Sequence, residues 1–79
     1  MEKRYVDEIK VLYHYGSEGY RSKYYIPREG KDKLKIVFYD NGTLEISGAE
    51  RQIIGESIFY KDYVSAKVID TEKGGEFNE

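Results

Sequence analysis

The clearest alternation of apolar and polar side chains lies at residues 33–47. Every second residue is apolar on both sides of Asn41-Gly42. Asn followed by Gly best tolerates the positive φ angles that a two-residue type I′ turn requires at both of its central positions. We therefore predict a β-hairpin with strands at 33–39 and 43–47.

Two alternating segments precede this hairpin. Residues 5–15 fit a strand, and although a 3.6-residue period also permits a helix within 4–13, the β-branched and aromatic content favours the strand. The turn-forming residues 16–19 separate it from a second strand at 20–26. Pro27 ends that strand, because proline cannot donate a hydrogen bond to a neighbouring strand.

The C-terminal third has a less regular pattern. Residues 52–60 fit a strand with a bulge at Gly55, or a short helix within 50–60. An internal glycine costs a helix about 1 kcal/mol relative to alanine, which favours the strand. Residues 63–69 alternate again, and the polar, glycine-containing residues 71–79 are typical of a flexible tail.

Short strands at intervals of about ten residues, with turn signals between them, are typical of small all-β domains. We predict one mainly β domain over residues 1–70. Its architecture is expected to be a small antiparallel barrel or a bent sheet of about five to six strands. The alternative is an α+β fold with a short helix in 50–60 or 4–13.

The composition lacks the residues that most catalytic and metal sites need. The 79 residues include no cysteine and one histidine, His14. A cysteine-based metal site is therefore excluded, and a zinc site would need several carboxylates around His14. The chain also has no Gly-x-Ser-x-Gly motif to position a nucleophile. We expect no enzymatic activity, no metal and no cofactor.

The N-terminal residues contain no apolar segment of the length found in signal peptides. No apolar run approaches the roughly 20 residues that a membrane-spanning helix needs. We therefore expect a cytoplasmic protein with no membrane partner.

The charge is unevenly distributed. The net charge is −2, yet residues 20–35 carry six basic and two acidic side chains. Broad electrostatic binding of DNA usually needs a basic domain, which this chain is not. A short single strand or a nucleotide is still compatible with so local a basic segment.

The basic segment also holds three of the nine tyrosines. Tyrosine buries a large ring at low entropic cost and tolerates water at its hydroxyl, so binding surfaces favour it. Strand alternation makes either Tyr24 or Tyr25 face outward. A purely structural interpretation is that Tyr20 and Tyr24 complete the core while the cations protect a sheet edge. The candidate binding residues are Tyr20, Arg21, Lys23, Tyr24, Tyr25, Arg28 and Lys31.

Three functional hypotheses follow. The first is a small non-catalytic protein that docks its tyrosine-rich surface on a larger protein partner, in an accessory or inhibitory role. Phage-encoded inhibitors of host proteins are an analogy for such a role, which a phage or other mobile element would then encode. The second is a small β-barrel that binds single-stranded nucleic acid or a nucleotide through residues 20–35. The third is a structural subunit that assembles as a homo-oligomer through its strand edges.

Overall fold

The computed structural model describes residues 1–17 and 19–70, and the backbone of residues 75–78. The prediction of an all-β fold is confirmed, because these residues form β-strands joined by turns and loops. The strands are β1 (Glu2–Val6), β2 (Glu8–Tyr15), β3 (Gly19–Tyr25), β4 (Leu34–Phe38), β5 (Leu44–Ser47), β6 (Ser57–Tyr60), β7 (Tyr63–Asp70) and β8 (Gly75–Asn78).

The strands form two antiparallel sheets of four. The first sheet has the order β1-β4-β5-β6, and the second has the order β3-β2-β7-β8. The hydrophobic core contains side chains from both sheets, and its largest fully buried members are Val6, Ile9, Val11, Leu34, Ile36, Leu44, Ile46 and Val68. Burial of these apolar side chains supplies the main favourable term in folding.

Two corners connect the sheets. At the first, β1 runs directly into β2, and the Asp7 amide donates to the Ile69 carbonyl at 3.0 Å. At the second, the chain after β3 pairs with the chain after β5: the Arg28 amide donates to Gly48, and the Glu50 amide donates to Ile26, both at 2.9 Å. The described strands are therefore two sheets linked at their corners rather than a closed barrel.

The first corner corrects the prediction of one continuous strand over residues 5–15. Val6 and Ile9 are both fully buried, although an unbroken strand would point them to opposite faces. The bend at Asp7 resolves this conflict by moving the chain from one sheet to the other. The Lys33 ammonium group holds the corner, because it lies 2.6 Å from the Asp7 carboxylate and 3.2 Å from that of Asp70. The hydrogen bond to Asp7 raises the pKa of Lys33.

The predicted hairpin at 33–47 is confirmed, since β4 and β5 pair in register with Ile36 opposite Ile46. The predicted type I′ turn is wrong. Gly42 has a φ of 89°, but Asn41 does not have a positive φ. The Gly42 amide instead donates to the Tyr39 carbonyl at 3.0 Å. A turn followed by one left-handed glycine is the usual form of a three-residue hairpin loop.

Residues 52–56 form a loop rather than the predicted strand, and β6 begins only at Ser57. The Gln52 side chain organises this loop: it accepts from the Ala49 amide at 2.9 Å and donates to the carbonyls of Ile46 and Glu56. Neither alternative helix, in 50–60 or in 4–13, is present.

The described strands number eight rather than five or six. One extra strand comes from the division of residues 5–15 into β1 and β2. Another is β8, which pairs with β7 and lies within the predicted tail at 71–79. The tail prediction also covers residues 71–74 and 79, which lie outside the described residues.

Candidate protein-binding site

Strand β3 stands at one edge of the second sheet, where it pairs with β2. Residues 20–24 of this strand are exposed to solvent. On an edge strand, every second residue turns its backbone N–H and C=O away from the sheet. Strand β3 therefore offers side chains on two faces and backbone hydrogen-bonding groups between them.

The pairing of β3 with β2 decides which tyrosine faces outward. Tyr25 lies opposite the fully buried Ile9, and Tyr24 lies opposite the exposed Lys10. Tyr25 is accordingly 6% exposed, whereas Tyr24 and Tyr20 are 54% and 62% exposed. Of the two adjacent tyrosines, Tyr24 is thus the outward one. The interpretation in which Tyr20 and Tyr24 complete the core is wrong.

Tyr25 belongs to the core between the sheets. Its hydroxyl hydrogen-bonds to that of Tyr60, and the two rings meet edge to face with centroids 6.3 Å apart. Burial raises the pKa of Tyr25, and the hydrogen bond with Tyr60 raises it further. Tyr25 is one of the predicted binding residues, but it exposes little surface and instead anchors the end of β3 in the core.

The outward side chains of three neighbouring strands form what we call the tyrosine face. Its members are Tyr20, Ser22 and Tyr24 of β3, Lys10, Leu12 and His14 of β2, and Ser65 and Lys67 of β7. Strand pairing places Tyr24, Lys10 and Lys67 in one row across the sheet, and Ser22, Leu12 and Ser65 in the next.

The tyrosine face is neither flat nor uniformly charged. A shallow groove of about 270 Å³ crosses its middle, where small serines lie on either side of Leu12. The His14 ring lies 5.0 Å from that of Tyr20 at one end of the face. At the other end, the Tyr24 hydroxyl donates to the Glu8 carboxylate, which fixes its ring. These contacts hold the two exposed rings on either side of the groove.

The other face of β3 carries the cations Arg21 and Lys23. The Arg21 guanidinium lies 3.7 Å above the centre of the Tyr15 ring, which is a cation–π contact. Both cations are exposed, whereas Val11, which pairs with Lys23, is fully buried. Arg21 and Lys23 therefore lie on the core-facing side of the sheet, at positions that remain open to solvent.

A more enclosed cavity, which we call the β3 cleft, opens between β3 and the loop before β6. It has a volume of about 300 Å³. Tyr25, Ile26 and Ile58 contribute apolar surface to it, and Lys23 and Arg51 contribute positive charge. Glu50 also lines the cleft.

Arg28 and Lys31 lie away from the tyrosine face. One Arg28 guanidinium nitrogen, Nη2, donates to the Gln52 carbonyl at 3.2 Å. Both residues line a separate cavity beside Gly48 and residues 54–57. The seven residues predicted from the sequence therefore lie at four distinct places: the tyrosine face, the opposite side of β3, the core, and the separate cavity lined by Arg28 and Lys31.

Sequence reasoning missed Lys67 and Ser65 of the tyrosine face, and Arg51 and Ile58 of the β3 cleft. Alternation alone could have placed Lys10, Leu12 and His14 on the outer side of β2. It carries no information on which strand neighbours which, and so it could not bring β7 beside β2.

Comparisons with protein-family models, with curated proteins and with solved structures found no match. Among the residues that the structure describes, no group of three or more potential metal ligands is present. Over the same residues, the structure contains no helix of the length and hydrophobicity needed to cross a bilayer.

Proposed function

We propose that this chain is a small non-catalytic protein-binding module that docks its tyrosine face on a larger protein. The observation that carries the proposal is the pair of rings, Tyr20 and Tyr24, more than half exposed on a hydrogen-bonded sheet. A tyrosine held in this way loses little conformational entropy when a partner covers it.

The surroundings of the two rings favour a protein partner. The groove sets one apolar side chain, Leu12, among serines and lysines, so it offers an apolar contact within a polar margin, as protein interfaces do. Lys10 and Lys67 add positive charge to the face, which would speed the encounter with an acidic partner. We place the protein in the cytoplasm and assign it an accessory or inhibitory role, in which it covers a functional surface of its partner.

The test begins with a display library of random peptides and protein fragments selected on the immobilised chain. Affinities of the selected ligands are then compared between the wild type and the variants Tyr20→Ala and Tyr24→Ala. A matched control is Tyr5→Ala, because Tyr5 is 57% exposed but lies in β1 of the other sheet.

A central aromatic anchor contributes about 2 kcal/mol or more to binding, which corresponds to a roughly 30-fold loss of affinity on truncation. We expect that loss for at least one of the two substitutions in the tyrosine face and none for Tyr5→Ala. Ligands whose affinities survive both Tyr20→Ala and Tyr24→Ala would place the binding site elsewhere.

Single-stranded nucleic acid is the second candidate ligand, because Lys10 and Lys67 lie in one row with the exposed Tyr24 ring. Stacked bases and neutralised phosphates would then supply the affinity. Such binding weakens steeply with salt, and the removal of one phosphate contact reduces the salt slope by about one. Salt-dependent binding of an oligothymidine strand that Lys10→Ala weakens would favour this candidate over a protein partner.

A further inference from the structure

We propose that the partner supplies an extended acidic segment that adds to the free edge of β3 as a fifth strand of the second sheet. This inference rests on the proposed protein-binding function and names the chemical class of its partner. Its acidic side chains would face Arg21, Lys23 and the β3 cleft, and its apolar side chains would lie beside Tyr20 and Tyr24.

The edge of β3 is long enough for strand addition. Its seven residues at about 3.3 Å each give a straight edge of about 23 Å. Within residues 1–17 and 19–70, the strand that pairs with it is β2. Beyond Tyr25, the chain is already paired, because Ile26 and Arg28 bond to Glu50 and Gly48. That corner sets one end of the binding site.

The two faces of β3 differ, so the side chains of an added strand would meet different chemical groups on each face. In strand addition, backbone hydrogen bonds supply affinity, and alternate side chains supply specificity. On the outer side lie the exposed rings of Tyr20 and Tyr24. On the inner side lie Arg21 and Lys23, followed by the β3 cleft, where Arg51 adds a third cation and Glu50 one carboxylate, so that the inner side carries a net positive charge. An ideal segment therefore alternates acidic and apolar residues.

Charge also decides against a second copy of this chain at the same edge. If two β3 strands paired antiparallel about Ser22, Arg21 of each copy would lie opposite Lys23 of the other copy. Like charges directly opposite each other on neighbouring strands are destabilising. An acidic segment replaces each of these repulsions with an attraction.

The experiment uses the full ¹⁵N-labelled chain and an eight-residue probe peptide of alternating glutamate and valine, blocked at both ends. Two control peptides have the same length: alternating lysine and valine, and a block of four glutamates followed by four valines. Binding is followed by amide chemical shifts and by hydrogen exchange. We expect saturable shifts and slowed exchange at residues 19–25 with the alternating acidic peptide, and at least tenfold weaker binding of both controls.

Backbone pairing is tested on the peptide, so that the protein fold is not disturbed. In a strand, all glutamate amides point to one edge and all valine amides to the other. We therefore expect N-methylation of one of these two sets to abolish binding, while N-methylation of the other set is tolerated. Equal tolerance of both sets would refute strand addition.

The role of charge is tested with the double variant Lys23→Glu/Arg51→Glu. The control Lys3→Glu/Lys61→Glu makes the same change in net charge at exposed positions away from the cleft. We expect a loss of affinity of at least tenfold in the first variant and at most twofold in the second. Equal losses would mean that net charge attracts the peptide without a site at β3.

The same variants separate this inference from the proposed function. If selected ligands need Tyr20 or Tyr24 but are insensitive to Lys23→Glu/Arg51→Glu, the tyrosine face is a docking surface and strand addition is wrong. If the probe peptide binds at β3 but Tyr20→Ala and Tyr24→Ala leave its affinity unchanged, the edge binds strands, and the proposed role of the tyrosine face is wrong.

Discussion

The turn between β4 and β5 provides a direct test of how this fold is specified, through substitution of Gly42 by valine. Gly42 has a φ of 89°, a region in which side chains with a Cβ atom are strained. A Cβ atom built at this position meets no other atom within 4 Å. The cost of a substitution here should therefore come from the backbone rather than from a steric clash.

The expected magnitude follows from that separation. A left-handed conformation costs an L-residue about 1 to 2 kcal/mol, and a β-branched residue lies at the upper end of that range. A loss of about 2 kcal/mol for Gly42→Val corresponds to a decrease of roughly 8 to 16 °C in the melting temperature of a domain of this size. Gly42→Ala should lose about half as much, and Gly42→Asn the least, because asparagine tolerates this conformation.

Thermal melts followed by far-UV circular dichroism, together with urea titrations, measure these differences. Gly19→Val is the matched control, because Gly19 also has open space around it but does not have a positive φ. As a residue of strand β3, it should accept valine with little loss of stability. The reasoning is refuted if Gly42→Val has the same melting temperature as the wild type, or if Gly19→Val lowers the melting temperature as much as Gly42→Val does.

Three further predictions concern side chains that hold the fold. Glu45, whose pKa is lowered by a hydrogen bond from Tyr39, stabilises the fold above its ordinary pKa of 4.5 and loses this effect as the pH falls through the depressed value. Melts against pH should therefore show Glu45→Gln less stable than the wild type at neutral pH and equal to it in acid. Gln52→Ala should lower the free energy of unfolding in urea by about 1 to 3 kcal/mol, because the Ala49 amide loses its acceptor. Gln52→Glu keeps the acceptor but replaces the donor to the Ile46 and Glu56 carbonyls with a carboxylate oxygen, so it should lose at least as much. Tyr25, whose pKa burial raises, favours folding below pH 10 and should ionise only as the protein unfolds in alkali. Because burial also raises the pKa of Tyr60 and Tyr63, the late step in absorbance at 295 nm should be smaller in Tyr25→Phe but not absent.

Local patterns were sufficient where the structure depends on local contacts. The alternation around Ile36 and Ile46 predicts both strands of the central hairpin, because each strand buries one face. The turn type was not predicted, since Asn41-Gly42 suits both a two-residue turn and a three-residue loop. The difference depends on whether Asp40 joins the strand or the turn, which the alternation does not decide.

Features that depend on distant parts of the chain were missed. The bend at Asp7 is fixed by the Lys33 ammonium group and the end of β7, and nothing near Asp7 in the sequence indicates it. The candidate site shows the same limit. Alternation predicted that either Tyr24 or Tyr25 faces outward, but the choice required the pairing of β3 with β2. To predict that Lys67 lies on the tyrosine face and that Arg51 lies in the β3 cleft, the order of the strands would have been needed.

Arg21 and Lys23 of β3 have two proposed roles, which one double variant distinguishes. Positive side chains on an edge strand discourage pairing with other copies, and in our proposal Arg21 and Lys23 also select an acidic partner. Arg21→Ser/Lys23→Ser should then increase self-association, seen as a concentration-dependent mass in light scattering, and weaken binding of the glutamate–valine peptide at least tenfold. Self-association with unchanged peptide affinity would limit these cations to protecting the edge. Weaker peptide binding by a variant that stays monomeric would mean that Arg21 and Lys23 act in recognition alone.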